Sequence, residues 1–236
     1  MGNVPTTNRI ARLLASSIGG KLLVAVTGVL LLGFVVTHLL GNLLLLQGQD
    51  ALNAYAAWLK SLPVLWVARA GLLAIFVAHI GQAIRLTFAN QAARPIPYAH
   101  PRASKNSTFA SRSMIYTGLT IVAFVIYHLL HFTFGLIQPD AYDAVDALGR
   151  HDVYGMVVAG FSHPAIAISY VVAMLLLGVH LLHGVQSVFQ TLGVRGPRYE
   201  ALIQKLSMGT AVVVFLGNAS IPLTILLGLG PFSGGA

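Results

Sequence analysis

The chain has 236 residues, 56% apolar and 8% charged, with a net charge of +8 and a mean hydropathy of +0.79. A water-soluble domain carries about 25% charged residues, so this composition excludes one and points to an integral membrane protein. The absence of cysteine excludes disulfides, thiolate-held metals, thiol nucleophiles and iron–sulfur clusters bound by this chain alone, and no serine-nucleophile elbow, P-loop or dinucleotide glycine motif occurs.

A bilayer core about 30 Å thick requires roughly 20 apolar residues in a helix. Arg9 and Arg12 precede the first apolar stretch without a small-residue cleavage site, so it reads as a retained span. Residues 22–49 carry no charge; 63–84 carry only Arg69; 113–139, 153–194 and 206–236 carry none. The fourth stretch is too long for one span, and its helix is expected to start at the His163–Pro164 step. The expectation is one all-α membrane domain over 1–236. Its five spans lie at about 22–47, 63–88, 113–138, 164–192 and 206–230. No internal repeat or low-complexity tract is apparent.

Lys and Arg bias sets orientation. Arg9, Arg12, Lys21, Arg85, Arg94, Arg102, Lys105, Arg112, Arg195, Arg198 and Lys205 fall on one side, which is expected to be cytoplasmic. Asp50, Asp140, Asp143, Asp146 and Asp152 fall on the other. The N-terminus is therefore expected inside and the C-terminus outside. The basic surplus reads as a topology signal and a docking face, not as a nucleic-acid footprint.

His100, His151 and His163 fall in loops or at span edges. Six histidines lie inside spans: His38 on the first, His79 on the second, His128 and His131 on the third, His180 and His183 on the fourth. Ionisable groups at such depth are costly and mark function. With 1.5 Å of rise per residue, His38 (17 residues past Lys21) and His128 (16 past Arg112) lie roughly 24–25 Å from the cytoplasmic edge. His79 (16 past Pro63) and His180 (16 past Pro164) lie roughly 24 Å from the outer edge. Depth thus gives an outer pair and an inner pair separated by about 15–20 Å, with the choice within each doubly substituted helix open by one turn. His180 is only 15 residues from Arg195, which requires the fourth helix to run past the inner surface.

Paired imidazoles at two depths suit two six-coordinate haems, whereas zinc wants three or four ligands at one level. Gly41, Gly71, Gly81, Gly118, Gly178 and Gly184 near the histidines either admit a flat macrocycle or serve helix packing. Lys21, Arg69 and Arg85 are candidates for haem propionates or simple snorkelling.

Four segments carry a resemblance: TGVLLLGFVVTHLLGNLLL around His38, FVAHIGQAIRLTFANQAARP around His79, IVAFVIYHLLHFTFG with His128, and LLLGVHLLHGVQSVFQTLG with His180. From about Ser17 to Leu229 the chain resembles the b558-type cytochrome b subunit of succinate dehydrogenases and fumarate reductases, one five-helix polypeptide with two haems b. The span count, the histidine order and the Asn90–Pro95 segment agree with that pattern. The resemblance implies His38, His79, His128 and His180 as iron ligands. It takes the first of the two histidines on the third helix, and on the fourth the one four residues before a glycine, Gly184. For His131 and His183 the alternatives are packing hydrogen bonds or a quinone or proton role.

The resemblance further implies a bacterial plasma-membrane anchor for a flavoprotein subunit and an iron–sulfur subunit on the cytoplasmic face. As the quinone-reactive part of an enzyme complex, it would pass electrons through the inner and then the outer haem to quinone, typically menaquinone. Asn42, Tyr127 and His131 are the quinone candidates. Where some related fumarate reductases carry a glutamate two residues before the fourth-helix ligand, this chain has Gly178, which puts a proton relay there in doubt. The alternatives are a di-haem cytochrome b of a hydrogenase, nitrate reductase or formate dehydrogenase, or a haem-free transporter with polar residues at broken helices.

Overall fold

The computed structural model describes residues 16–93, 109–194 and 196–232. Arg9, Arg12, Arg94, Arg102, Lys105, Arg195 and His100, with part of the Asn90–Pro95 segment, lie outside the described residues.

Helix α1 (Ser17–Asn42) starts where the Ser16 hydroxyl accepts the Gly19 N–H at 3.0 Å, and it tightens into a 3-10 turn over Leu43–Gln47. A short helix α2 (Gln49–Ser61) follows, with Asp50 in its first turn and Lys60 in its last, matching the helix dipole. Helix α3 runs Val64–Ala92 and α4 runs Phe109–Phe132. One turn of helix, α5 (Pro139–Tyr142), precedes α6 (Val153–Phe161), whose Asp152 cap accepts the Gly155 N–H at 2.9 Å. Helices α7 (Pro164–Thr191) and α8 (Pro197–Leu226) both begin with proline, which costs nothing where the first N–H has no intrahelical partner.

Five helices are long and apolar enough to cross a membrane, and no strand forms among the described residues. Their ends differ from the charge-free stretches of the sequence. Helix α1 begins five residues earlier than 22, α3 ends four later than 88, and α8 starts nine before 206, because basic side chains at a helix end reach the interface on long stems. Helix α4 stops at Phe132 rather than near 138, since Gly135 adopts φ +65° and turns the chain back on Tyr142. Two helices, α2 and α6, are additions to the five-span pattern; α6 lies within the long apolar stretch 153–194.

Helix α7 is the centre of the bundle, packed antiparallel to α8 and α4 and touching α1. On α7, Gly178 faces Phe215 and Ala211 of α8. Helix α3 packs mainly on α1 and buries no residue. Val64, Trp66, Val67, Leu73 and Val77 stand exposed on it. A helix so apolar and so uncovered is stable only with lipid as its solvent. A buried hydrophobic cluster lies at the end expected to face outward, where Leu45, Leu52, Phe161, Ala167, Tyr170, Ile221 and Ile225 join five elements.

A polar clasp closes that end. Asn53, fully buried, donates to Asp146 at 3.1 Å and Asp152 at 2.9 Å and accepts the Tyr154 N–H at 3.0 Å. Arg150 bridges Asp146 at 2.7 Å and Asp50 at 2.8 Å. Burial pushes the Asp146 carboxyl up, but hydrogen bonds from Arg150, Asn53 and the Leu148 N–H outweigh it and hold it at about 2. Asn53→Ala should lower stability by about 1–3 kcal/mol, the cost of stranding buried partners, read as a lower Tm in detergent. Because the folded Asp146 carboxyl titrates below the ordinary carboxylate value of 3.8, its contribution is complete above about pH 5 and vanishes toward pH 2. The Tm gap between the native chain and Asp146→Asn should therefore be full at pH 6 and shrink between pH 5 and 2.

Candidate functional site

Among the described residues the buried polar side chains are few: Thr27, Asn53, Thr117, His131 and Ser207. Asn53 belongs to the clasp. Ser207 of α8 donates to the Leu182 carbonyl of α7 and accepts from Gln186 at 3.4 Å, tying the two helices together. The other three surround the intramembrane histidines, two of them touching a histidine and the third being one.

At the outer level, His38 of α1 faces His128 of α4 with ring centres 5.9 Å apart and planes at 89°. Phe34 stacks on His38 at 5.3 Å, and Phe124, Phe132 and Tyr170 enclose His128 at 5.9, 5.6 and 5.9 Å. The Nδ1 of His128 is buried without a hydrogen-bond partner. An imidazole–metal bond is about 2 Å, and the donor nitrogen lies about 1 Å from its ring centre, so two axial imidazoles have centres about 6 Å apart. The outer pair meets that spacing, and its donor set fits a metal held between two imidazoles, as an iron porphyrin presents it.

At the inner level lie His79 of α3 and His180 of α7. The Nδ1 of His79 lies 3.0 Å from the Thr27 hydroxyl of α1, and that of His180 lies 3.2 Å from the Thr117 hydroxyl of α4. Both leave Nε2 for a ligand. Thr27 is eleven residues before His38, which sets the two levels roughly 16 Å apart along α1. Among the described residues no three His, Asp or Glu side chains converge, so the donor sets are pairs and not a zinc-type cluster.

The geometry exposes an internal repeat where none was apparent in the sequence. TGVLLLGFVVTH (27–38) and TGLTIVAFVIYH (117–128) align without gaps, sharing Thr, Gly, Phe, Val and His. Each shared residue except valine has the same task in both helices. The threonine meets a histidine of the next membrane helix, and the glycine lies against that ring: a Cβ at Gly28 would crowd His79 at 3.2 Å, and one at Gly118 would be in ordinary contact with His180 at 3.5 Å. The phenylalanine lies beside the histidine four residues on. A comparison of the two histidine-centred windows would have found the match; Thr27 and Thr117 themselves read as ordinary span residues.

The remaining candidates are dispersed. Both His131 nitrogens are engaged, Nδ1 with the Tyr170 hydroxyl at 3.1 Å and Nε2 with the Gln138 side-chain oxygen at 3.0 Å, and the ring is 1% exposed. His183 is half-buried on α7. Asn42 ends α1 one turn beyond His38. Tyr127 borders a groove of about 420 Å³ between α4 and α7, with Thr120, Phe124, Ile166, Ser169 and Val172. Arg85 bonds Gln82 at 2.7 Å and the Ser16 carbonyl at 3.2 Å near the inner level. Lys21 is exposed at the same end, and exposed Arg69 stacks over Trp66 at 5.0 Å toward the other. Of the six glycines, Gly118 faces His180, Gly178 faces α8 and Gly41 faces Tyr55. No described side chain lies within 4 Å of a Cβ built at Gly71, Gly81 or Gly184.

Fold and site together define a multi-pass, all-helical membrane protein with histidines at two depths. The chain belongs to the succinate dehydrogenase/fumarate reductase transmembrane subunit family, whose model matches residues 92–218, more than half of it. The match includes His128 and His180 but begins after His38 and His79; the repeat relates His38 to His128. No curated protein and no solved structure matches the chain.

Tyr170→Phe should strand the His131 Nδ1 and cost about 1 kcal/mol, seen as a lower Tm with an unchanged helical spectrum.

Proposed function

We propose that this chain is the b558-type, di-haem membrane anchor of a succinate:quinone oxidoreductase in a bacterial plasma membrane, conducting electrons between an iron–sulfur subunit and quinone. The single observation that carries the reading is the outer pair, His38 and His128, perpendicular and 5.9 Å apart. Family membership supplies the succinate dehydrogenase/fumarate reductase context. His38 with His128 would hold the outer haem iron, and His79 with His180 the inner. Bound there, two haems b supply one-electron carriers in series across the bilayer.

The chain's own contribution is placement and exclusion. Phe34, Phe124, Phe132 and Tyr170 keep the outer imidazoles in an aromatic, water-poor setting. Arg85 and Lys21 offer positive charge toward propionates on the inner side, and Arg69 does so on the outer. The α4–α7 groove has the size of a small-ligand site and is a single ring, Phe124, away from His128. We assign it to quinone, with Tyr127 on its wall and His131 behind through Tyr170; menaquinone is the type the family resemblance favours. Asn42 is the remaining candidate at that level. The flavoprotein and iron–sulfur partners dock on the basic, cytoplasmic end in this reading, which places succinate and fumarate chemistry on those partners.

Reduced-minus-oxidised spectra and a haem assay of the purified complex should give two haems b per chain. His79→Ala or His180→Ala should remove the inner haem alone, and His38→Ala or His128→Ala the outer. A variant that keeps both haems disproves the pairing, and a co-purifying molybdenum or nickel subunit in place of a flavoprotein disproves the complex. Ser169→Phe should fill the groove and lower quinone turnover by about tenfold, a 1.4 kcal/mol effect, with haem content and succinate oxidation by an artificial acceptor unchanged.

A further inference from the structure

The inner histidines are held from behind by a matched pair of hydroxyls. The Thr27 hydroxyl lies 2.6 Å from the Leu23 carbonyl and 3.2 Å from that of Val24; the Thr117 hydroxyl lies 3.1 Å from both the Ser113 and Met114 carbonyls. A hydroxyl has one proton, and here the helix backbone takes it, so each oxygen turns lone pairs toward its histidine. The imidazole must then be the donor, with the proton on Nδ1 and the lone pair on Nε2.

Thr27 and Thr117 are each 5% exposed, so no solvent competes for the bond. The glycine after each threonine borders the ring edge: a Cβ at Gly28 would crowd His79 at 3.2 Å, whereas one at Gly118 would only touch His180 at 3.5 Å. The outer level has no equivalent, since the Nδ1 of His128 is buried without a partner.

An N–H that donates from the far side of a ligating imidazole fixes the ring's orientation and raises its basicity. A more basic ligand favours the oxidised metal and lowers its reduction potential. We infer that Thr27 and Thr117 are positioning residues of the inner haem: each fixes its histidine as the Nδ1–H tautomer with Nε2 toward iron, and together they depress that haem's potential. The inference rests on the di-haem reading above.

The test uses the intact membrane complex with Thr27→Val, Thr117→Val and the double variant, and with Thr27→Ser and Thr117→Ser as conservative controls. Each haem is titrated potentiometrically and counted by its reduced-minus-oxidised band. Each valine variant should keep two haems and raise the inner potential alone. The expected shift is about tenfold in its reduction equilibrium, which is about 59 mV for one electron. The double variant should shift further, and the serine variants should stay near the native value. Two haems with unmoved potentials, or a shift confined to the outer haem, would overturn the inference and leave the di-haem reading intact. A native complex without haem would instead overturn that reading first. If a valine chain fails to assemble, the tautomer is read in the native complex by 15N-histidine NMR of the reduced state. His79 and His180 should carry a slowly exchanging proton on Nδ1, and a bare Nδ1 at either position overturns the inference.

Discussion

No water enters the hydrocarbon of a bilayer, so every donor and acceptor carried into it must find its partner within the protein or its ligands. For a histidine this is a demand on two nitrogens at once, and the fold answers it in three ways. His131 satisfies both with Tyr170 and Gln138 and becomes a packing residue. His79 and His180 satisfy Nδ1 with a threonine and keep the other nitrogen available. His128 has a buried Nδ1 with no partner and faces His38 across 5.9 Å. The arrangement of helices follows from these demands: α3 is held to α1, and α7 to α4, at the points where threonine and histidine meet.

The same constraint explains what the amino-acid sequence discloses. Five spans are legible because lipid tolerates so few charges that uncharged stretches stand out, and the histidines are legible because each is an expensive exception. The short helices α2 and α6 are not, since one is amphipathic and the other is hidden in the apolar run 153–194. Helix ends are not legible from charge alone either, because Lys21, Arg85 and Lys205 sit inside helices with their charges carried to the interface. Threonine is the instructive miss. Its hydroxyl satisfies itself on its own backbone and so passes for an ordinary span residue, and only the fold shows His79 and His180 resting on it.

The two ends of the bundle are tied by different chemistry. The outer end joins a hydrophobic cluster to the Asn53–Asp146–Arg150–Asp152 clasp, so α2, α6 and the connection between α4 and α7 close over it as one unit. Among the described residues, the opposite end carries Arg85 on the start of α1 and Ser207 on Leu182 and Gln186 of α7. Family membership makes the chain a transmembrane subunit of a succinate dehydrogenase or fumarate reductase.

The copied segment in α1 and α4 serves two depths with separate residues. Thr27 and Gly28, with their counterparts Thr117 and Gly118, touch only the inner histidines; Phe34 and Phe124, seven residues further up the same helices, flank only the outer ones. That spacing is roughly 10 Å along the helix, at the distance where substitutions begin to act independently. A lineage carrying this segment can therefore retune one depth of the membrane while leaving the other untouched, as two dials on one shaft.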